Sequence, residues 1–204
     1  MNLHEPATFL TDCLLAGLAL ALAWRLRAAA PAVRWWRRTL GMTAASALVG
    51  GTYHGFAPNF GPALQSAWWL ATLWIISGVS ACLALSLMHE LAPPPRLRFW
   101  RTLIGAKGAL AAASAVVWPV FLVAIVDYGL ALAAWLVAAL ATRRPWRGWM
   151  LGGLGLSVGA AVVQQSGWPQ APGLNHNDLY HLIQGLGLIA FFQGARRLGM
   201  SDKR

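Results

Sequence analysis

Seven stretches of mainly apolar residues divide the chain, at 8–26, 39–56, 63–88, 100–116, 119–141, 148–165 and 177–195. Each is close to the roughly 20 residues that a membrane-crossing helix requires. No other feature restricts the fold as much. The expected class is an all-α integral membrane protein, a seven-transmembrane helix bundle forming one domain over residues 1–204. The fourth and fifth stretches are separated only by Trp118-Pro119, read as a tight turn. One long kinked helix there, giving six spans, is the alternative. Composition agrees: 58% of residues are hydrophobic and 11% are charged, against about 25% charged in a soluble domain. A soluble globule, a disordered chain and a collagen-like chain are excluded. With two Cys, both in apolar stretches, so is a disulfide scaffold.

The basic residues give the expected orientation. Arg25, Arg27, Arg34, Arg37 and Arg38 follow the first stretch, and Arg96, Arg98 and Arg101 follow the third. Arg143, Arg144 and Arg147 follow the fifth, while Arg196, Arg197, Lys203 and Arg204 follow the seventh. The alternate connections, near 56–62, 118–119 and 166–176, contain no Lys or Arg. This positive-inside pattern places the N-terminus out and the C-terminus in. A net charge of +10 would suggest nucleic acid as partner in a soluble protein. Here 15 of the 16 basic residues lie on one side, so the charge records insertion and membrane lipids are the expected partners. The expected location is a cell membrane of the bacterial inner-membrane type. Lys107 alone lies within a stretch and is read as snorkelling to the inner surface. Trp35, Trp36, Trp68, Trp69, Trp146 and Trp168 fall near stretch ends, where interfacial indoles belong.

Ionisable residues at membrane depth are costly and by default line a polar site. His4, Glu5 and Asp12 lie at the outer end of the first stretch, and His54 at that of the second. His176, Asp178 and His181 open the seventh. Six of these seven come from distant segments yet share one depth. His89 and Glu90, by contrast, fit a solvated inner helix end, and Asp127 fits a buried, neutral or paired carboxyl as well as a functional one. His with carboxylate is a zinc donor set, and a catalytic zinc keeps three protein ligands and an open position. Asp178 and His181, three apart, share a helix face. His176 and His181 diverge by roughly 140° on an ideal helix, so His176 joins the site only if it precedes the helix. Asn175 or Asn177 is the expected N-cap. The candidate metal ligands are therefore His54, His181 and either Asp178 or His176.

Gly51-Thr52-Tyr53-His54-Gly55 and Asp178-Leu179-Tyr180-His181, set in seven spans with the N-terminus out, resemble the CREST superfamily. That group includes alkaline ceramidases and the progestin and adiponectin receptors. The resemblance implies a His on the second span and an HxxxH motif on the seventh, together binding zinc inside the bundle. An acidic N-terminal stretch, as in alkaline ceramidases, is echoed by His4-Glu5-Pro6. Three positions depart from the pattern. Asn177 stands where the first His of HxxxH belongs, Gly50 where a Ser precedes the second-span His, and Gln65 and Ser66 where an Asp opens the third span.

The expectation is thus a membrane-embedded zinc-dependent hydrolase acting on a lipid amide or ester that enters from the outer leaflet. Asp12 or the unused member of His176 and Asp178 would accept the proton, and Tyr53 or Thr52 would donate to the oxyanion. The rival expectation is a non-catalytic receptor or structural membrane protein with a polar, metal-binding outer cluster. A transporter fits less well, because the ionisable residues gather on one side. A retinal protein is not expected, since the seventh stretch has no Lys.

Overall fold

The computed structural model describes residues 2–27, 30–171 and 173–200. Seven helices account for most of it: α1 (Pro6–Arg25), α2 (Pro31–Phe56), α3 (Pro62–Leu91), α4 (Leu97–Val117), α5 (Phe121–Ala141), α6 (Arg147–Ser166) and α7 (His176–Ala195). Local chemistry sets their ends. Proline opens α1, α2 and α3 at the first helical turn, where its missing N–H costs nothing and its fixed φ suits the helix. Gly167, with φ +68°, closes α6 in the left-handed conformation. Pro119 disfavours helical geometry at Trp118, so α4 stops at Val117 and α5 restarts at Phe121. The chain therefore has separate fourth and fifth helices and not one kinked rod.

Each apolar stretch falls on a helix, with one sizeable difference. α2 begins at Pro31, eight residues before the apolar stretch at 39. Hydrophobicity marks what a helix is buried in, while arginine continues a helix readily. Arg34, Arg37 and Arg38 accordingly ride on the first turns of α2, with the Arg38 guanidinium 4.3 Å from the Trp35 ring. Lys203 and Arg204 of the basic pattern lie outside the described residues.

Helix contacts close a ring in the order α1, α2, α3, α5, α6, α7 and back to α1, with α4 on the outside against α3 and α5. Small residues permit the close approaches. A Cβ on Gly153 of α6 would lie 2.4 Å from the Phe191 ring of α7. At the end of the bundle that carries the arginines, Trp36, Trp135, Trp146 and Phe191 form an edge-to-face cluster with centroids 5.3–5.6 Å apart. Trp36 and Trp146 are thus core residues and not interfacial indoles, at 2% and 0% exposure. Proximity of an indole to a helix end says nothing of which way it faces. Glu90, half-buried at its helix end, also accepts from Trp146 Nε1 (3.0 Å) and the Gly199 N–H (2.8 Å), fastening α3 to the residue before α6 and to the chain after α7.

Among the described residues, α1, α3 and α5 are long and apolar enough to cross a membrane. A two-residue antiparallel ladder, Gln170–Ala171 against Leu174–Asn175, turns the chain from α6 into α7.

Candidate functional site

The opposite end of the bundle gathers polar residues from α1, α2 and α7. Asn175 is the N-cap of α7: its side chain accepts from the N–H groups of Asn177 and Asp178 (2.8 and 3.1 Å). Asp178 Oδ2 returns an acceptance from the Asn175 N–H at 2.7 Å, completing a capping box. Asn175 Nδ2 also donates to Thr8 Oγ1 at 3.0 Å, joining α7 to α1. These bonds make His176 the first helical residue of α7, so it diverges from the His181 face and does not meet the condition for sharing a site with it.

His181 is buried and held from both sides by α1. Its Nε2 lies 3.2 Å from Asp12 Oδ1, and its Nδ1 lies 3.0 Å from Thr11 Oγ1. The Thr11 hydroxyl donates its one proton to the Thr8 carbonyl at 3.0 Å, so toward His181 it can only accept. With the Thr11 proton on the Thr8 carbonyl, the consistent arrangement has Nδ1–H donating to Thr11 and Nε2 facing Asp12. Metal-binding histidines are oriented by a hydrogen bond on one ring nitrogen while the other faces the ion; here Thr11 could supply the first, and Asp12 stands at the second.

Asp12 reaches this position through a notch in α2. A Cβ on Gly51 would sit 2.6 Å from Asp12 Cβ, so only glycine admits the aspartate. Gly55, one turn on, makes room in the same way for Leu3 and Phe9. The Gly51-x-x-x-Gly55 spacing is thus an α1 docking surface, with His54 between its two notches.

His54 pairs with Glu5, Nδ1 to Oε2 at 3.2 Å. The N-terminal segment is drawn over α2 by the His4 N–H to the Gly55 carbonyl (3.0 Å) and by mutual bonds between Asn2 and Asn59. A pocket of about 340 Å³ opens here, lined by His4, Glu5, Tyr53, His54, Pro58 and Gln65 among others. Tyr53 borders it, but Thr52 does not: the Thr52 hydroxyl donates to the Leu48 carbonyl at 2.8 Å and is unavailable as an oxyanion donor.

The two His–carboxylate pairs belong to one electrostatic group. Asp178 and Glu5 act through space on Asp12, and His54 and Asp178 act on His181. Among the described residues, no three His, Cys, Asp or Glu side chains converge closely enough to hold an ion as they stand. The donor chemistry nevertheless fits a divalent cation on one structural count. Asp12 Oδ2 and Asp178 Oδ1 are buried without a hydrogen-bond partner among the described residues, and a buried carboxyl oxygen in that state is costly unless the group is protonated or meets a donor or a cation.

Thr8 and Thr11 were not singled out in the sequence. Their signal is the polar series Thr8, Thr11, Asp12 at helical spacing on one face of an otherwise apolar helix.

The architecture defines a class: an all-helical protein with three helices apolar enough to cross a membrane and a buried His–carboxylate cluster at one end. Residues 7–200 match the family of unknown function DUF6962, and the chain belongs to it. The matched stretch takes in Asp12, His54, Asp178 and His181. No curated protein and no solved structure matches the chain.

Proposed function

We propose that the chain is a seven-span integral membrane protein, N-terminus out and C-terminus in, of the bacterial inner-membrane type. Its outer polar cluster binds zinc and hydrolyses a lipid amide or ester, in the manner the CREST resemblance implies. Two features support embedding. The helices turn large apolar side chains outward, among them Leu14, Leu20, Leu140 and Val162 at 52–63% exposure, a surface that water would not tolerate. The connections with arginine alternate with those lacking it, as insertion requires.

The observation that carries the site is His181 clamped between Thr11 and Asp12, with two unpartnered carboxylate oxygens beside it. His181, His54 and Asp178 would hold the ion, which requires them to move together and His181 Nε2 to turn from Asp12. Bound zinc supplies a Lewis acid that polarises the scissile carbonyl. The rest falls to the chain. Thr11 holds the orientation of the His181 ring. Asp12 Oδ2, with no bond of its own, takes a proton from the attacking water, in a setting dry enough to make it an effective base. The pocket under Glu5 and His54 admits the head of the substrate, and the Tyr53 phenol at its wall donates to the developing oxyanion.

Elemental analysis of detergent-purified protein tests the reading. We expect about one zinc per chain, lost in His181→Ala and His54→Ala, together with hydrolysis of ceramide-like amides or lysolipids. Variants that carry as much zinc as the parent overturn it. The non-catalytic reading, a receptor or structural protein, is favoured by one observation: both His181 ring nitrogens are already engaged by side chains. It would show zinc without turnover.

A further inference from the structure

Lys107 and Asp127, each within an apolar stretch and apart from the cluster just described, do not reach for the surface. Lys107 of α4 forms an ion pair with Asp127 Oδ1 of α5, and its ammonium also donates to Ser80 Oγ (2.7 Å) on α3 and to the Asp127 carbonyl (3.2 Å). Snorkelling is therefore not what this lysine does. Ser80 in turn donates to the Asp127 carbonyl at 2.8 Å. An ammonium has three N–H bonds, and all three are used. Asp127 Oδ2, however, is buried with no partner among the described residues.

Beside this pair runs a groove of about 400 Å³ between α4 and α5, extending from Trp118 and Val120 at the interhelical turn down to Lys107 and Asp127. Its walls are Leu110, Leu122, Val126 and Leu130, which are 56–69% exposed. Asp127 is about 9 Å along α5 from its first residue, by the 1.5 Å rise per residue. Its side chain is 3% exposed and that of Lys107 is 24% exposed, so the aspartate forms the floor and the lysine its border.

We propose that this groove binds a neutral lipid through a hydroxyl group donated to Asp127 Oδ2. Three facts select that chemistry. The walls are apolar and long, which suits an alkyl or isoprenoid body. The Lys107–Asp127 pair is balanced, so a charged head would bury an uncompensated charge. The lysine has no N–H to spare, so although the Ser114 hydroxyl lies on the wall above, the floor at Asp127 Oδ2 offers an acceptor, and a ligand seated there must bring the donor. A hydroxyl entering along the groove reaches the floor by displacing the lysine stem. The inference rests on the membrane part of the proposed function and not on the metal. The groove shares no residue with the Asp12–His181 cluster, and chelator-treated protein should bind equally well.

The test is native mass spectrometry of the full chain in detergent, titrated with hexadecanol, hexadecyl methyl ether and palmitate. The alcohol should be retained over the ether by roughly 10- to 100-fold, the worth of one hydrogen bond to a charged acceptor, and over palmitate as well. Leu110→Trp, which fills the groove without touching the ion pair, should abolish retention of the alcohol. Asp127→Asn keeps an oxygen for Lys107 and turns an N–H₂ donor to the groove, so the preference for alcohol over ether should disappear. Equal retention of alcohol and ether by the wild-type chain overturns the proposal. So does stronger retention of palmitate, or undiminished alcohol binding in Leu110→Trp. The wild-type comparison needs no variant to fold.

Discussion

Gly51→Ala probes the joint on which the candidate site depends. The added Cβ would lie 2.6 Å from Asp12 Cβ and 3.3 Å from its carboxyl carbon, closer than real Cβ atoms approach. The first atom belongs to a side-chain stem fixed to the α1 backbone, so relief requires α1 to move away from α2. Overpacking of this kind costs about 1–3 kcal/mol. Against it, replacing a helical glycine by alanine contributes about 1 kcal/mol in favour of the helix. The adjacent residue provides the control. A Cβ on Gly50 would meet only Thr72 Cγ2 at 3.6 Å, an ordinary contact. The helix gain is common to both substitutions, so their difference isolates the overpacking, about 1–3 kcal/mol. At roughly 2–4 °C per kcal/mol for a chain of this size, Gly51→Ala should melt roughly 2–12 °C below Gly50→Ala. Thermal unfolding of the two variants in one detergent, followed by circular dichroism, measures the gap. Coincident melting temperatures would refute the notch as the element that holds α1 against α2.

Two further outcomes are expected. Asn175→Ala removes the N-cap of α7 and its bond to Thr8, and should cost about 1–2 kcal/mol in unfolding free energy; no change in melting would mean the cap is replaced by water. In a Cys13→Ala, Cys82→Ala background, Pro58→Cys lies in the arginine-free α2–α3 connection and Pro95→Cys in the α3–α4 turn. A membrane-impermeant maleimide should label the first alone in intact cells, and labelling of the second alone would invert the proposed orientation.

The helices were legible because apolar length is a local property. The seven stretches, the proline at the start of three helices and the break at Pro119 could each be read without knowing what packed against what. Half of the site was legible too. Asp12, His54, Asp178 and His181 share one end of the bundle, and Asn175 caps α7 as its residue type suggests. Thr8 and Thr11 were not read, because a hydroxyl in an apolar helix gives no sign of the partner it meets. The back-bond of Thr52 to the carbonyl one turn earlier is hidden for a related reason.

Taken alone, the sequence of this DUF6962 member determined the seven apolar stretches on which helices form, most of their ends though not the start of α2, and which connections carry positive charge. These follow from runs of neighbouring residues. The tertiary structure alone decided which faces meet: Asp12 on His181 through the Gly51 notch, Lys107 on Asp127, Trp36 and Trp146 in the core. Spacing within a helix tells which of its residues share a face. It carries no information about the neighbour that face will find, because that depends on how the six helices of the ring close and where α4 packs against them.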